Sequence, residues 1–143
     1  MNTSTARDRL LVLVADDDND MRAVVVNALR ADGCTTVEAR DGEEVLDLLR
    51  RAQTDPELGP DVLLLDVKMP KLSGLGVLEA LRVAKWSLPV VVITALSDES
   101  IHKVAMGLGA IRLLRKPFGA GDMLLAVHSA KATSNPTPCL KGV

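Results

Sequence analysis

Two hydrophobic patterns alternate along this chain. Apolar runs of four to six residues are separated by stretches in which apolar residues recur every three or four positions. A strand with one wet face would alternate apolar and polar residues, so the unbroken runs read as strands of a parallel sheet covered on both faces. The second pattern reads as the amphipathic helices that cover it. Leu10–Ala15, Val62–Asp66, Val90–Thr94 and Ile111–Arg115 give four strands, and the short segment Thr35-Thr36-Val37-Glu38-Ala39 gives another. Met21, Val24, Val25, Ala28 and Leu29 mark the inward face of a first helix, which ends near Asp32-Gly33, where glycine takes the left-handed cap. Asp41-Gly42-Glu43-Glu44 opens a second helix, with acids suited to its N-terminus, whose inner face is Val45, Leu48, Leu49 and Ala52. Gln53–Pro60, with two prolines and a glycine, reads as an extended surface loop. A third helix follows Ser73-Gly74 with Leu75, Leu78 and Leu81 inward. The fourth carries Ile101, Val104, Ala105 and Leu108 and closes near Gly107–Gly109, and the fifth carries Ala120, Met123, Leu124 and Val127. Right-handed crossovers between such strands build an α/β fold, a doubly wound five-stranded parallel sheet of order 2-1-3-4-5.

At 143 residues the chain has room for one core and no second domain. The expected layout is an N-terminal extension over 1–9, a domain over 10–131 and a flexible tail over 132–143. A formal net charge of −2 gives no electrostatic case for nucleic acid. Trp86 and Phe118 are the only aromatic residues, which leaves almost nothing to stack on a base or a flavin. Cys34 and Cys139 lack CxxC spacing and read as reduced thiols; His102 and His128 form no metal motif. No segment approaches the ~20 apolar residues that span a bilayer, and the N-terminus is no signal peptide, so no membrane partner and a cytoplasmic location are expected.

The candidate chemistry lies where the runs stop. The first ends at Asp16-Asp17, the third at Asp66, the fourth at Thr94 and the fifth at Lys116-Pro117. In a parallel sheet these termini share the carboxyl edge, where open α/β sheets bind their ligands. Acids gathered there repel, since two like charges about 4 Å apart cost roughly 4 kcal/mol at an effective dielectric near 20. A divalent cation relieves that.

Val14-Ala15-Asp16-Asp17-Asp18, Asp66-Val67-Lys68-Met69-Pro70 with Gly74, Thr94-Ala95 and Lys116-Pro117-Phe118 together resemble the receiver domain of two-component response regulators, from about Leu10 to Lys131. The resemblance implies the flavodoxin-like receiver fold and a phospho-accepting signalling module rather than an enzyme with its own substrate. Asp66 would be the nucleophile that holds the phosphoryl group as an acyl phosphate. Asp16 and Asp17, chosen over Asp18 by counting back from Arg22, would hold Mg²⁺ together with Asp66 and the backbone carbonyl of Lys68, and Asp18 would cap a helix. Lys116 would pair with Asp66 and then with a phosphoryl oxygen, aimed by a cis Lys116-Pro117 bond, and Thr94 would donate its hydroxyl to the phosphoryl group.

The implied donor is a sensor histidine kinase or phosphotransfer protein, and the implied output surface is the fourth helix, fifth strand and fifth helix, read by a downstream protein target. A phosphorylation-dependent dimer is left open. With no room for a helix-turn-helix domain, which needs roughly 60–100 further residues, the chain reads as a stand-alone receiver. One departure is Leu113, three residues before the lysine, where receivers usually carry Tyr or Phe; this puts the switch formed with Thr94 in question and keeps a receiver that signals by binding alone as an alternative. Leu96, two residues after Thr94, is placed to restrict the attacking water. A Mg²⁺-dependent aspartyl-nucleophile phosphatase would need an acid two residues after Asp66, where Lys68 stands, and a flavodoxin-like cofactor binder would need a phosphate loop after Ala15.

Overall fold

A computed structural model of the chain describes residues 9–95 and 99–134. Most of the expected N-terminal extension and tail, with Leu96 and Cys139, lies outside these residues. In chain order the elements are β1 (Leu11–Ala15), α1 (Asn19–Ala31), β2 (Thr35–Ala39), α2 (Gly42–Thr54), a 3-10 turn (Pro56–Leu58), β3 (Val62–Asp66), α3 (Gly74–Val83), β4 (Val90–Thr94), α4 (Glu99–Gly107), β5 (Arg112–Arg115) and α5 (Ala120–Ser134). All strand pairs are parallel and the order is β2-β1-β3-β4-β5, as the alternation of patterns predicts.

Every residue of β3 and β4 is buried, because helices cover both faces. On one face Leu13, Leu63, Leu65 and Val92 pack with Val45, Leu49, Val77, Leu78 and Ala105 of α2, α3 and α4. On the other, Val12, Leu64, Val91 and Ile93 pack with Val25, Leu29, Met123 and Val127 of α1 and α5. The doubly wound layering follows directly: adjacent strand residues point to opposite faces, and both sets are aliphatic. Among the described residues no helix is long and apolar enough to cross a membrane.

Several details differ from the sequence reading. Three consecutive valines cannot all face a sheet from a helix with about 100° between residues. Val25 and Val26 are buried in register with Arg22 and Leu29, and Val24 turns out to solvent. Val104 is likewise exposed beside buried Ala105. The segment 53–60 is not an extended loop: α2 runs on to Thr54, and Asp55 then accepts from the Glu57 N–H to cap the 3-10 turn at Pro56. β1 and β5 each begin one residue later than their apolar runs.

The arginines of β5 have a physical role at the sheet edge. Only Leu114 of the strand is buried; Arg112 reaches Ser129 of α5 and Arg115 reaches Glu99 and His102 of α4. Charged side chains thus clamp the edge strand between two helices and discourage further strand pairing.

Candidate functional site

The carboxyl edge of the sheet gathers most of the residues singled out above. β1 delivers Asp16 and Asp17, β3 delivers Asp66, and one carboxylate oxygen from each of the three lies within 4.8 Å of the other two. Asp16 and Asp66 are buried, and Asp17 is exposed. Lys116 follows β5, and its Nζ donates to Asp66 Oδ2 at 3.1 Å; the Lys116-Pro117 bond is cis. The Lys68 N–H donates to Asp66 Oδ1 at 3.2 Å, while its side chain is exposed. Among the described residues one Asp66 oxygen thus accepts from a backbone amide and the other from a cation. Thr94 is buried at the end of β4, one residue past the register partner of Asp66, and its carbonyl accepts from the Lys116 N–H at 2.9 Å.

Local rules explain these placements. Asp18 is the N-cap of α1, accepting from the Asp20 and Met21 N–H groups at 3.0 and 3.1 Å, so it turns away from the cluster. Asp16 Oδ1 accepts from the Asp18 N–H at 2.9 Å, which pins the chain as it leaves β1. At Gly74 close packing excludes any side chain. A Cβ there would collide with the Asp66 carbonyl oxygen, and the Gly74 N–H donates to the Val67 carbonyl at 2.8 Å, so α3 starts against the backbone of the nucleophile candidate.

Arg22, a position marker in the sequence pattern, has a structural role of its own. Its guanidinium is buried, donates to the Asp16 carbonyl at 2.6 Å and to Asn19 Oδ1 at 2.7 Å, and pairs with Glu38 at 2.9 Å. It locks the Asp16 backbone from beneath. Its signal in the sequence was an arginine on the apolar face of the first helix, one turn before Val26 and two before Leu29.

The electrostatics favour a cation. Asp16 Oδ2 is buried with no hydrogen-bond partner among the described residues, an arrangement that is costly for a lone carboxylate. Burial raises the Asp16 carboxyl from an ordinary 3.8 to about 6, the Asp66 charge adds to the rise, and the Asp18 amide and Lys116 oppose it. Burial would lower the Lys116 amine, but the hydrogen bond and charge of Asp66, with the charges of Asp16 and Asp18, hold it above its usual value. An orphaned carboxylate oxygen beside two further acids is a donor set suited to a hard divalent ion with oxygen ligands. The cluster fits such an ion.

Without metal, this raised value has a measurable consequence. Between 3.8 and about 6 the folded Asp16 holds a proton that the unfolded chain releases, so folding stability falls as pH rises through that window. In chelator, wild type is expected to lose up to about 3 kcal/mol relative to Asp16→Asn between pH 4 and 7. Paired urea titrations across that range check it; a flat difference would contradict it.

Leu113 is partly buried and packs into the cluster formed with α2, α3 and α4, on the same strand face as Arg115. It stands one strand away from Val92, two residues before Thr94.

Comparison with known proteins agrees with this architecture. The family model of the response regulator receiver domain matches residues 12–128. The chain is 34% identical over 129 residues to the probable transcriptional regulator ycf27 of Porphyridium aerugineum, a match covering 87% of this chain and 51% of that protein. It is 35% identical over 118 residues to the transcriptional regulatory protein CpxR of Escherichia coli, covering 82% and 47%. The chain thus spans about half the length of the curated relatives it matches. The solved receiver domain of the Francisella response regulator 1452 superimposes with a TM-score of 0.79 at 28% identity, covering 89% of this chain and all of that one.

Proposed function

The chain belongs to the response regulator receiver domain family, and from that premise we propose that it accepts a phosphoryl group on Asp66 from a histidine kinase or phosphotransfer protein. The observation that carries this reading is the convergence of three carboxylates within 4.8 Å, with the Lys116 amine 3.1 Å from Asp66. No catalytic machinery for a separate substrate is needed. An Asp66 oxygen attacks phosphorus, the bond from phosphorus to the imidazole nitrogen of phosphohistidine breaks, and the imidazole leaves with the bonding pair. Lys116, held above its usual basicity, stays charged and follows the new negative charge from the carboxylate to a phosphoryl oxygen. Thr94, at the neighbouring strand end, offers its hydroxyl to the same group.

Asp16, Asp17, Asp66 and the Lys68 carbonyl are the proposed holders of Mg²⁺, which when bound neutralises charge on the transferring group. Hydrolysis of the acyl phosphate resets the domain. A phosphoryl group brings about −1.5 to −2 charges, enough to draw Thr94 and Lys116 toward it and to bias the α4-β5-α5 surface offered to a protein target. Leu113, with no ring or hydroxyl, would repack in that transition rather than rotate a polar group from surface to core.

Acetyl phosphate with Mg²⁺ should convert the protein to a species heavier by roughly 80 Da, the mass of one phosphoryl group, seen by intact mass spectrometry. With excess chelator the same incubation should leave the mass unchanged. Equal labelling with and without metal would remove the acid cluster from the reaction.

A further inference from the structure

A second cluster of metal-ligating atoms lies at the opposite edge of the sheet, remote from Asp66. Asp32 caps the C-terminus of α1, Cys34 immediately precedes β2, and His128 projects from α5. Gly33 between the first two has φ +97, a left-handed turn that lets the chain reverse sharply from helix into strand. The Asp32 carboxylate, Cys34 sulfur and His128 imidazole nitrogen all lie within 4.8 Å of one another, with His128 Nε2 only 2.8 Å from Asp32 Oδ2.

The His128–Asp32 hydrogen bond by itself would be an ordinary tie between two helices. Cys34 packs in the aliphatic core with Leu29 and Val127, and that packing brings its sulfur to the third corner. Cys34 is buried while Asp32 and His128 are exposed, so an ion arriving from solvent would meet the two polar ligands first and the sulfur at the floor. We propose that Asp32, Cys34 and His128 form a binding site for a divalent transition-metal ion of the zinc type.

The donor chemistry selects the ion. A thiolate, an imidazole and a carboxylate together suit Zn²⁺ and its neighbours, whereas Mg²⁺ and Ca²⁺ prefer all-oxygen sites. With metal–sulfur bonds near 2.3 Å and metal–nitrogen bonds near 2.0–2.1 Å, ligands on one tetrahedral centre stand about 3.3–3.5 Å apart. The cluster therefore closes by small side-chain adjustments, with the ion taking the place of the proton that His128 Nε2 shares with Asp32. Burial and the Asp32 charge push the Cys34 thiol up, so it is a neutral thiol before binding. On coordination its S–H bond breaks, the proton goes to solvent, and the sulfur pair is donated to the metal. Three protein ligands leave a fourth position for water. The bound ion would tie the end of α1 and the start of β2 to α5 at the edge away from the acid cluster.

Cobalt(II) reports this site directly, because only a thiolate ligand gives the near-ultraviolet sulfur-to-cobalt charge-transfer band. Protein saturated with Mg²⁺ to fill the acid cluster is titrated with Co²⁺ and then competed with Zn²⁺. One equivalent should bind with that band, Zn²⁺ should abolish it, and Cys34→Ala should lack it while Cys139→Ala retains it. His128→Gln, at an exposed position, should weaken binding by at least about tenfold and reduce the rise in melting temperature that Zn²⁺ gives wild type. No band, a band that survives Cys34→Ala, or unchanged affinity in His128→Gln would overturn the assignment. Should Cys34→Ala fail to fold, the His128→Gln titration decides.

Discussion

Asp66→Asn should stay at its unmodified mass after any length of incubation with acetyl phosphate and Mg²⁺, while wild type gains one phosphoryl group. The substituted amide keeps the shape of the side chain but lacks the anionic oxygen that attacks phosphorus. It also removes one of the three clustered carboxylates. The fold should survive, because two effects oppose each other. The variant loses the charged hydrogen bond between Lys116 and Asp66, and it relieves the repulsion that helps raise the Asp16 carboxyl. Urea midpoints should therefore correspond to a change within about 1 kcal/mol. A labelled Asp66→Asn protein would move the acceptor to another residue and end the proposed mechanism.

Gly74→Ala is expected to be strongly damaging although the residue carries no chemistry. A methyl group there would overlap the Asp66 carbonyl oxygen and approach the Val67 Cα at 2.9 Å, and both are backbone atoms with no rotamer to change. Relief requires moving the start of α3 and loosening the Gly74 N–H bond to the Val67 carbonyl. Overpacking costs about 1–3 kcal/mol and a strained hydrogen bond about 1 kcal/mol, against less than about 1 kcal/mol gained in helix propensity. A net loss of about 2–3 kcal/mol follows. Displacement of the Asp66 backbone should also slow phosphoryl transfer by up to ~10²-fold. Gly121→Ala in α5, where a Cβ meets nothing within 4 Å, is the control and should be neutral or stabilising. Denaturant titration with acetyl phosphate kinetics on both variants tests the pair; equal behaviour would show that α3 yields without cost.

These two glycines differ in a property that no local sequence pattern carries. Both precede or enter helices, and both look alike as letters. Only the approach of another segment, 8 residues earlier in the chain for Gly74, separates them. The same holds for Arg22 and Val24 on α1. A guanidinium on an apolar face looks like a helical interruption until the Asp16 carbonyl, Asn19 and Glu38 are placed around it. Which two of three valines turn inward depends on the rotation of the helix about its axis, a variable that pairwise spacing alone leaves open. The Asp32, Cys34 and His128 cluster is less legible still, since Cys34 and His128 stand 94 positions apart and no local motif joins them.

The five strands and five α-helices, their order, the parallel sheet and the edge on which the acids and the lysine gather are legible in the residue pattern alone, whereas the 3-10 turn at Pro56 is not. Those properties are written in runs and periods a few residues long, and one strong topological rule, the right-handed crossover, turns them into a sheet. The burial of Asp16 and Asp66 but not Asp17, the Asp16 oxygen that has no partner among the described residues, and the lack of space for a methyl group at Gly74 come only from the three-dimensional packing. Burial, desolvation and close approach are properties of atoms brought together from distant parts of the chain, and no short stretch of residues carries them.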